Sequence, residues 1–202
     1  MTHSLRYAYS LGAAMAVATL APAVAAADTP VSVNNPLFTI PMPGVPAGTP
    51  AHTAATCGLY AVGSSASKDW TTYANNAFGS ITSWLTTAPD GTPANLTTVG
   101  GAQNGLVQVM VGQGTRTTVN RVTAVVYVLA GQVVLEMGDG GSGGGATPTS
   151  TTTGAWEVVS GCGRADMLNN EIVLYGTGPA VFYVRKVTVE FDQHCPSLPP
   201  PK

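Results

Sequence analysis

Short strand-like segments separated by glycine- and proline-containing turns fill most of this sequence, and this pattern restricts the fold more than any other feature. The runs Val122–Ala130 and Ala180–Phe191 carry apolar residues on both faces in part, which is typical of central strands. No segment has the period of an amphipathic helix. The pattern predicts an all-β fold of about eight antiparallel strands, in a sandwich or a barrel. The other predicted strands are Leu59–Gly63, Ile81–Thr86, Gly105–Gly112, Gln132–Met137, Ala155–Ser160 and Glu171–Tyr175.

The first 27 residues have the three-part pattern of a secretory signal peptide. Arg6 is the positive residue, Leu11–Ala21 is the short apolar stretch, and Ala25-Ala26-Ala27 offers small residues for cleavage before Asp28. A membrane span needs about 20 apolar residues, so this stretch predicts a signal that is cleaved, leaving no membrane span. The expected location is secreted, periplasmic or on the cell surface.

Prolines mark the ends of the remaining chain. Residues 28–56 include five prolines between Pro36 and Pro50, and proline has no donor for a sheet ladder. They are therefore predicted to form a proline-rich arm or linker. Residues 57–195 are predicted to be a single sandwich domain, and residues 196–202 a proline-rich tail. The glycine-rich tract from Gly138 to Gly145 is predicted to be a loop.

Charged residues are sparse, at 9% of the chain, and without Arg6 the mature protein has 7 basic side chains against 10 acidic ones. Nucleic-acid binding needs a basic surface that neutralises phosphates. The composition therefore argues against a nucleic-acid partner.

The three cysteines, Cys57, Cys162 and Cys195, predict one disulfide in an exported protein. Cys57 with Cys195 is the expected pair, because each lies just outside the predicted strands and the first and last strands of such folds often lie side by side. Cys57 with Cys162 is the alternative. The absence of a Cys-x-x-Cys motif argues against zinc, and structural calcium stays open although the aspartates are isolated in sequence.

Catalytic motifs are absent from the sequence, which has neither a Gly-x-Ser-x-Gly nor a His-Glu-x-x-His pattern. His52 and His194 fall in the segments that flank the predicted strands. Glu136 and Glu171 lie on predicted strands, and glycoside hydrolysis needs two carboxyl groups facing one cleft. Solvated strand positions account for such residues more often, so the sequence predicts a protein that is not an enzyme and needs no cofactor.

Aromatic residues are the stronger candidates for a site, since they cover the apolar faces of sugars while polar groups bond the hydroxyls. Trp84 lies on the strand face opposite Ile81 and Ser83, Tyr127 is in the middle of an apolar strand, and Tyr175 precedes a turn. Trp70 and Trp156 are predicted to be core residues.

Arg185 interrupts an apolar strand, and simple alternation places it on the same face as Val187. A charge on a core face is costly unless it is paired or reaches solvent. Two interpretations remain: a β-bulge at Arg185-Lys186 turns the arginine outward, or the guanidinium holds a ligand hydroxyl or carboxylate.

Four motifs between Asp69 and Glu190 resemble the jelly-roll carbohydrate-binding modules of secreted bacterial proteins and related modules of phage tail fibres. They are Asp69-Trp70, Ala88-Pro89-Asp90-Gly91-Thr92-Pro93-Ala94, Thr153-Gly154-Ala155-Trp156, and Phe182-Tyr183-Val184-Arg185-Lys186-Val187-Thr188-Val189. The last departs from the family, which has two aspartates where this chain has Arg185 and Lys186.

The resemblance implies a jelly-roll β-sandwich with a ligand groove on the concave sheet and both matching tryptophans in the core. Tyr127 and Glu136 are the leading ligand-binding candidates there, followed by Trp84, Tyr175 and Arg185. The implied function is non-catalytic binding of a glycan or cell-surface polysaccharide. The alternative is a structural or adhesive subunit that packs against copies of itself or another surface protein.

Overall fold

The computed structural model describes residues 32–45, 48–55, 59–74, 79–110, 119–138, 147–164 and 170–195. In these residues, eleven strands form two antiparallel sheets packed face to face. The prediction of an all-β jelly-roll sandwich is confirmed, with more strands than expected. The strands are β1 (Ala51–Ala55), β2 (Leu59–Ser64), β3 (Thr71–Ala74), β4 (Gly79–Thr87), β5 (Pro93–Val99), β6 (Asn104–Met110), β7 (Val119–Ala130), β8 (Val133–Gly138), β9 (Trp156–Arg164), β10 (Asn170–Gly176) and β11 (Ala180–Phe191).

The six-stranded sheet has the order β1-β4-β5-β11-β7-β9, and the five-stranded sheet has the order β2-β3-β6-β10-β8. The long strands β7 and β11 pair with each other, and each has a second neighbour on its other side. They are interior strands, as their apolar sequences predict. The described ranges contain no helix with the length and apolarity that crossing a membrane would require.

Alternation along the strands puts one side chain in two into the main core between the sheets, and Tyr73, Val107 and Val173 form a second, smaller buried cluster. Phe182 and Val184 of β11 point inward, whereas Tyr183 between them points outward. Full burial of such a side chain stabilises the fold by about 1.5–3 kcal/mol. From the five-stranded sheet the core receives Leu106, Leu135, Met137, Ile172 and Leu174.

The proline-rich arm packs on one end of the sandwich. Phe38 stacks on Trp70 with the ring centroids 4.7 Å apart, and both side chains are buried. The side chain of Asn35 accepts hydrogen bonds from the backbone N–H groups of Thr39 and Ile40, and it donates to the carbonyl oxygens of Ile40 and Lys68. This part of the arm therefore belongs to the folded domain.

Strand β1 also falls within the predicted arm, residues 28–56, but pairs with β4 at the edge of the six-stranded sheet. The sandwich thus extends N-terminally beyond residue 57. The prolines do not prevent this segment from packing on the sandwich, because a proline carbonyl oxygen still accepts hydrogen bonds. Val187 donates its N–H to the Pro36 carbonyl oxygen at 2.9 Å.

A buried polar network joins the 65–70 loop to the inner face of β4 and β5. The amide nitrogen of Asn95 donates to the hydroxyl oxygens of Ser67 (2.7 Å) and Ser83 (2.9 Å). The hydroxyl of Thr97 donates to Asn95 Oδ1, and the Ser83 hydroxyl accepts from the Ala66 N–H. Asn95 is therefore fully bonded, which offsets the cost of burying its amide.

Cysteine pairing differs from both predictions, because the structure joins Cys195 to Cys162 with their Cα atoms 5.7 Å apart. Cys162 lies on the edge strand β9 opposite Arg121 of β7, and Arg121 Nε donates to Asp192 Oδ2 at 2.6 Å in the turn after β11. This turn brings Cys195 across the end of β7 to β9. Strand β1, which precedes Cys57, is at the opposite edge of the same sheet. A disulfide is thus present, but the predicted Cys57–Cys195 pair is wrong.

The predicted signal peptide, Cys57, most of the glycine-rich tract and the C-terminal tail lie outside the described residues. Those expectations stay predictions.

Candidate functional site

The outer face of the six-stranded sheet carries a cross-strand row of four aromatic side chains and one leucine. In sheet order, Trp84 is opposite Leu96, Leu96 opposite Tyr183, Tyr183 opposite Tyr127, and Tyr127 opposite Trp156. All five side chains are partly exposed. Neighbouring strands are about 4.8 Å apart, so the row spans about 19 Å over four strand intervals. We call these five residues the aromatic row.

Three rings of the aromatic row contact each other at its β9 end. Tyr127 lies edge-on to Trp156, with ring centroids 5.6 Å apart, and edge-on to Tyr183 at 6.2 Å. Edge-to-face contacts of this kind fix ring orientation and stabilise beyond simple burial. The rings of Tyr127, Trp156 and Tyr183 therefore hold defined orientations in the absence of a ligand.

The turn between β4 and β5 reaches across this face to the aromatic row. Asp90 Oδ2 accepts a 2.7 Å hydrogen bond from Trp156 Nε1 and is 3.1 Å from Arg185 Nη1. The Arg185 guanidinium also lies over the Trp156 ring, 4.2 Å from its centroid, in a cation–π contact. We call Asp90, Arg185 and Trp156 the clasp.

The turn itself fixes Asp90. Thr92 donates its hydroxyl (2.6 Å) and its backbone N–H (3.0 Å) to Asp90 Oδ1. These bonds from Thr92 are the main reason that the pKa of Asp90 lies below its usual value, with Trp156 and Arg185 acting in the same direction. The carboxylate is therefore ionised near neutral pH and keeps Arg185 in place.

A β-bulge in β11 explains the outward direction of Arg185. Val184 pairs with Val126 while Lys186 pairs with Val125, so Arg185 is an extra residue in its strand. The register shift puts Val187 in the core and turns both Arg185 and Lys186 toward solvent. The bulge interpretation is confirmed, whereas placing Arg185 on the face of Val187 is wrong.

Two of the predicted ligand-binding residues, Glu136 and Tyr175, are on the other side of the molecule. They lie on the outer face of the five-stranded sheet, on β8 and β10. The ring centroids of Tyr175 and Tyr73 are 6.2 Å apart. The two rings approach each other across Gly105, which is paired with Tyr175 on one side and with Tyr73 on the other. Burial, the charge of Glu136 and a hydrogen bond with Glu136 raise the pKa of Tyr175 to about 12.

Replacing Glu136 by glutamine is expected to lower the pKa of Tyr175 from about 12, while keeping it above its ordinary value because burial is the larger cause. Since the unfolded chain releases this proton at lower pH than the folded one, the protein should lose stability between about pH 10 and pH 12. Ultraviolet difference titration of Glu136→Gln, with Tyr175→Phe to isolate the signal, measures the shift. The control Glu190→Gln, on the other sheet, should leave the pKa of Tyr175 unchanged.

The five candidate residues therefore do not form one site. Tyr127, Trp84 and Arg185 share the outer face of the six-stranded sheet, and the core separates them from Glu136 and Tyr175. Tyr127 and Glu136, the two leading candidates, cannot contact one ligand in one groove. Any role of the five residues in binding stays a prediction.

Sequence reasoning missed Trp156, Tyr183 and Asp90. Trp156 was expected in the core but begins an edge strand and is partly exposed. The alternation of Tyr183 with Phe182 and Val184 is a signal for its outward direction. Asp90 has no such signal, since its partners Trp156 and Arg185 are 66 and 95 residues away.

A metal centre has no candidate ligands in the part of the chain that the structure describes. No group of three or more His, Cys, Asp or Glu side chains is close enough together there to hold an ion. The aromatic row offers instead the partly exposed rings of Trp84, Tyr127 and Tyr183. At its β9 end, the Arg185 guanidinium lies over the Trp156 ring.

Searches for similar sequences found nothing: no family model matches this chain, and neither does any curated protein. Solved structures do match. One is the CBM22-1 xylan-binding domain from Paenibacillus barcinonensis, at 17% identity and a TM-score of 0.44, covering 73% of this chain and 97% of that one. Another is the xylan-binding module CBM15, at 13% identity and a TM-score of 0.40, covering 72% and 98%.

A third similar structure contains the CBM22-1 and GH10 modules of a Clostridium thermocellum endo-1,4-β-D-xylanase with xylohexaose. Identity is 12% and the TM-score is 0.45, with 62% of this chain covered; the match spans about a quarter (26%) of the xylanase chain. These neighbours are, or contain, carbohydrate-binding modules, and the likeness concerns the fold alone.

Proposed function

We propose that this protein is exported and binds a glycan on the outer face of its six-stranded sheet, without transforming it. The aromatic row is the observation that carries the proposal. Flat rings on a rigid sheet suit the apolar C–H faces of sugars, and a site supported by strands holds its side chains in defined positions. A row about 19 Å long suits several linked sugars better than a single one.

Polar groups for sugar hydroxyls lie beside the rings. Arg185, which has N–H donors beyond the one that contacts Asp90, lies next to Trp156, and the row itself contributes the hydroxyls of Tyr127 and Tyr183. Apolar faces bounded by a few fixed polar groups are the usual composition of a small-molecule site. Because these groups are already oriented by their mutual contacts, binding requires little ordering of side chains.

Replacing Tyr127 by alanine is expected to weaken glycan binding about tenfold or more, because the central ring of the β9 end of the row is lost. Affinity electrophoresis and calorimetry on the purified protein, over a panel of polysaccharides that includes xylan, measure the change. Tyr127→Phe, which keeps the ring and removes only the hydroxyl, should lose less affinity than Tyr127→Ala.

Phe191→Ala is the matched control, since Phe191 is an aromatic on the same sheet that is 69% exposed and outside the aromatic row. It should leave binding unchanged. Thermal unfolding of each variant separates loss of binding from loss of fold. Retained affinity in a folded Tyr127→Ala protein would overturn the proposed surface, and release of reducing sugar ends during binding would overturn the absence of catalysis.

A structural or adhesive subunit is the second candidate, favoured by the exposure of Val158 (64%) and Phe191 (69%). Single exposed apolar residues are common on monomers, so this support is weaker than that of the aromatic row. Size-exclusion chromatography separates the two functions: a monomer that binds glycan supports the first, and self-association without any glycan signal supports the second.

A further inference from the structure

Lys186 is an exposed ammonium group beside the aromatic row, and the bulge in β11 puts it there. It is opposite Val125 on β7, and Val125 is opposite Val158 on β9. On β7, Val125 is two residues from Tyr127, which is about 6.6 Å along a strand. Lys186 therefore lies in the next outward-facing row of side chains, within a lysine side chain's reach of a sugar stacked on Tyr127.

Nothing else in the described part of the molecule engages this charge. Lys186 makes no hydrogen bond or ion pair with another described residue, and its neighbours across β7 and β9 are valines. Arg185 beside it differs, because its charge is balanced by Asp90 at 3.1 Å.

Among the described residues, the carboxylates on the neighbouring elements are bound to other groups or lie too far from Lys186. Asp90 is held by Thr92, Trp156 and Arg185. Glu157 accepts hydrogen bonds from Thr151 and Thr152. Asp192 binds Arg121, and Glu190 is four residues further along β11, about 13 Å away. Lys186 is therefore left without an ion-pair partner among the described residues.

We propose that this surface selects glycans whose sugar rings bear an anionic group, a carboxylate or a sulfate ester, with Lys186 as the residue that binds the anion. The inference rests on the proposed glycan binding and names the class of ligand. The protein as a whole is acidic, with a formal net charge of −2. A preference for an acidic glycan must therefore come from local contact with Lys186 rather than from attraction at long range.

The test compares each acidic polysaccharide with its own neutral derivative. Polygalacturonate and glucuronoxylan are paired with their carboxyl-reduced products, and a sulfated galactan with its desulfated product. The protein is expected to bind at least one acidic form about fivefold more tightly than its derivative. That preference should disappear between about 0.01 M and about 1 M salt, over which the Debye length falls from about 30 Å to about 3 Å.

Lys186→Gln is expected to remove the preference and keep the affinity for the neutral derivatives. Lys68→Gln, which changes an exposed lysine beside the N-terminal arm, should keep both the preference for acidic forms and the affinity for the neutral derivatives. A preference within the carboxyl-reduced pairs would identify a carboxylate as the selected anion, and a preference within the desulfated pair would identify a sulfate ester.

Equal binding of every acidic and neutral pair by the original protein overturns this inference and leaves the glycan-binding function standing. A preference retained in Lys186→Gln overturns the role of Lys186. Failure to bind any glycan, acidic or neutral, overturns the proposed function together with the inference.

Discussion

Replacing Trp70 by alanine is expected to lower the free energy of unfolding by about 3–5 kcal/mol, because it removes the largest side chain that is fully buried among the described residues. Trp70 stacks on Phe38, with ring centroids 4.7 Å apart. Its Nε1 donates to the carbonyl oxygen of Asn35 at 3.4 Å. The substitution therefore removes core volume and also frees the N-terminal arm from the end of the sandwich.

Urea and thermal unfolding measure this change, and in a domain of this size each kcal/mol corresponds to about 2–4 °C in Tm. Phe38→Ala should have a similar effect. The double variant should lose less than the sum of the two, because both substitutions release the same arm. Phe191→Ala, at an exposed aromatic, should shift Tm little. Additive losses from Trp70→Ala and Phe38→Ala would show that the arm does not depend on this stack.

The sequence was sufficient to predict the class of fold, because alternation and turn residues are local signals. Val122–Ala130 and Ala180–Phe191 were expected to be central strands, and they form most of β7 and all of β11. The turn at Gly131 matches its positive φ of 74°, a backbone conformation that glycine adopts without strain. Each of these features depends on residues that are close together in the chain.

Register between distant strands was not predictable, and the candidate site depends on it. The aromatic row exists because four independent pairings bring Trp84, Tyr183, Tyr127 and Trp156 level with one another. A shift of one residue in any pairing would turn a ring to the opposite face. Sequence alternation shows which residues share a face of one strand, but not which of the two sheets that strand joins. For this reason Glu136 and Tyr127 were grouped although they lie on opposite sides.

The bulge at Arg185 is an intermediate case. A charge within an apolar strand signals that simple alternation fails nearby, so the outward turn was predictable as one of two interpretations. Its partner was not, because the guanidinium is bound by Asp90 from a turn 95 residues earlier in the chain. The N-terminal arm shows a related limit: its prolines predicted an arm or linker, and only the structure shows that Phe38 and the side chain of Asn35 fix it to the domain.

Removing the disulfide with the double substitution Cys162→Ser and Cys195→Ser is expected to lower the free energy of unfolding by about 3–4 kcal/mol. The bond closes a segment with a sequence separation of 33, and the chain-entropy relation for a loop of that length gives a value of about this size. Both cysteines are also largely buried, so local packing adds to the effect. Denaturant unfolding of the double variant and the original protein, under oxidising conditions, measures the difference.

Cys57→Ser is the control that distinguishes the observed pairing from the one expected from sequence. If Cys162 pairs with Cys195, Cys57→Ser keeps the cross-link, and adding reductant destabilises it as much as the original protein. Mapping of non-reduced peptides should give a Cys162–Cys195 fragment from both proteins. A Cys57–Cys195 peptide would contradict the arrangement in which the turn after β11 crosses the end of β7. That outcome would also remove the reason for placing Asp192 beside Arg121, because the same turn carries both contacts.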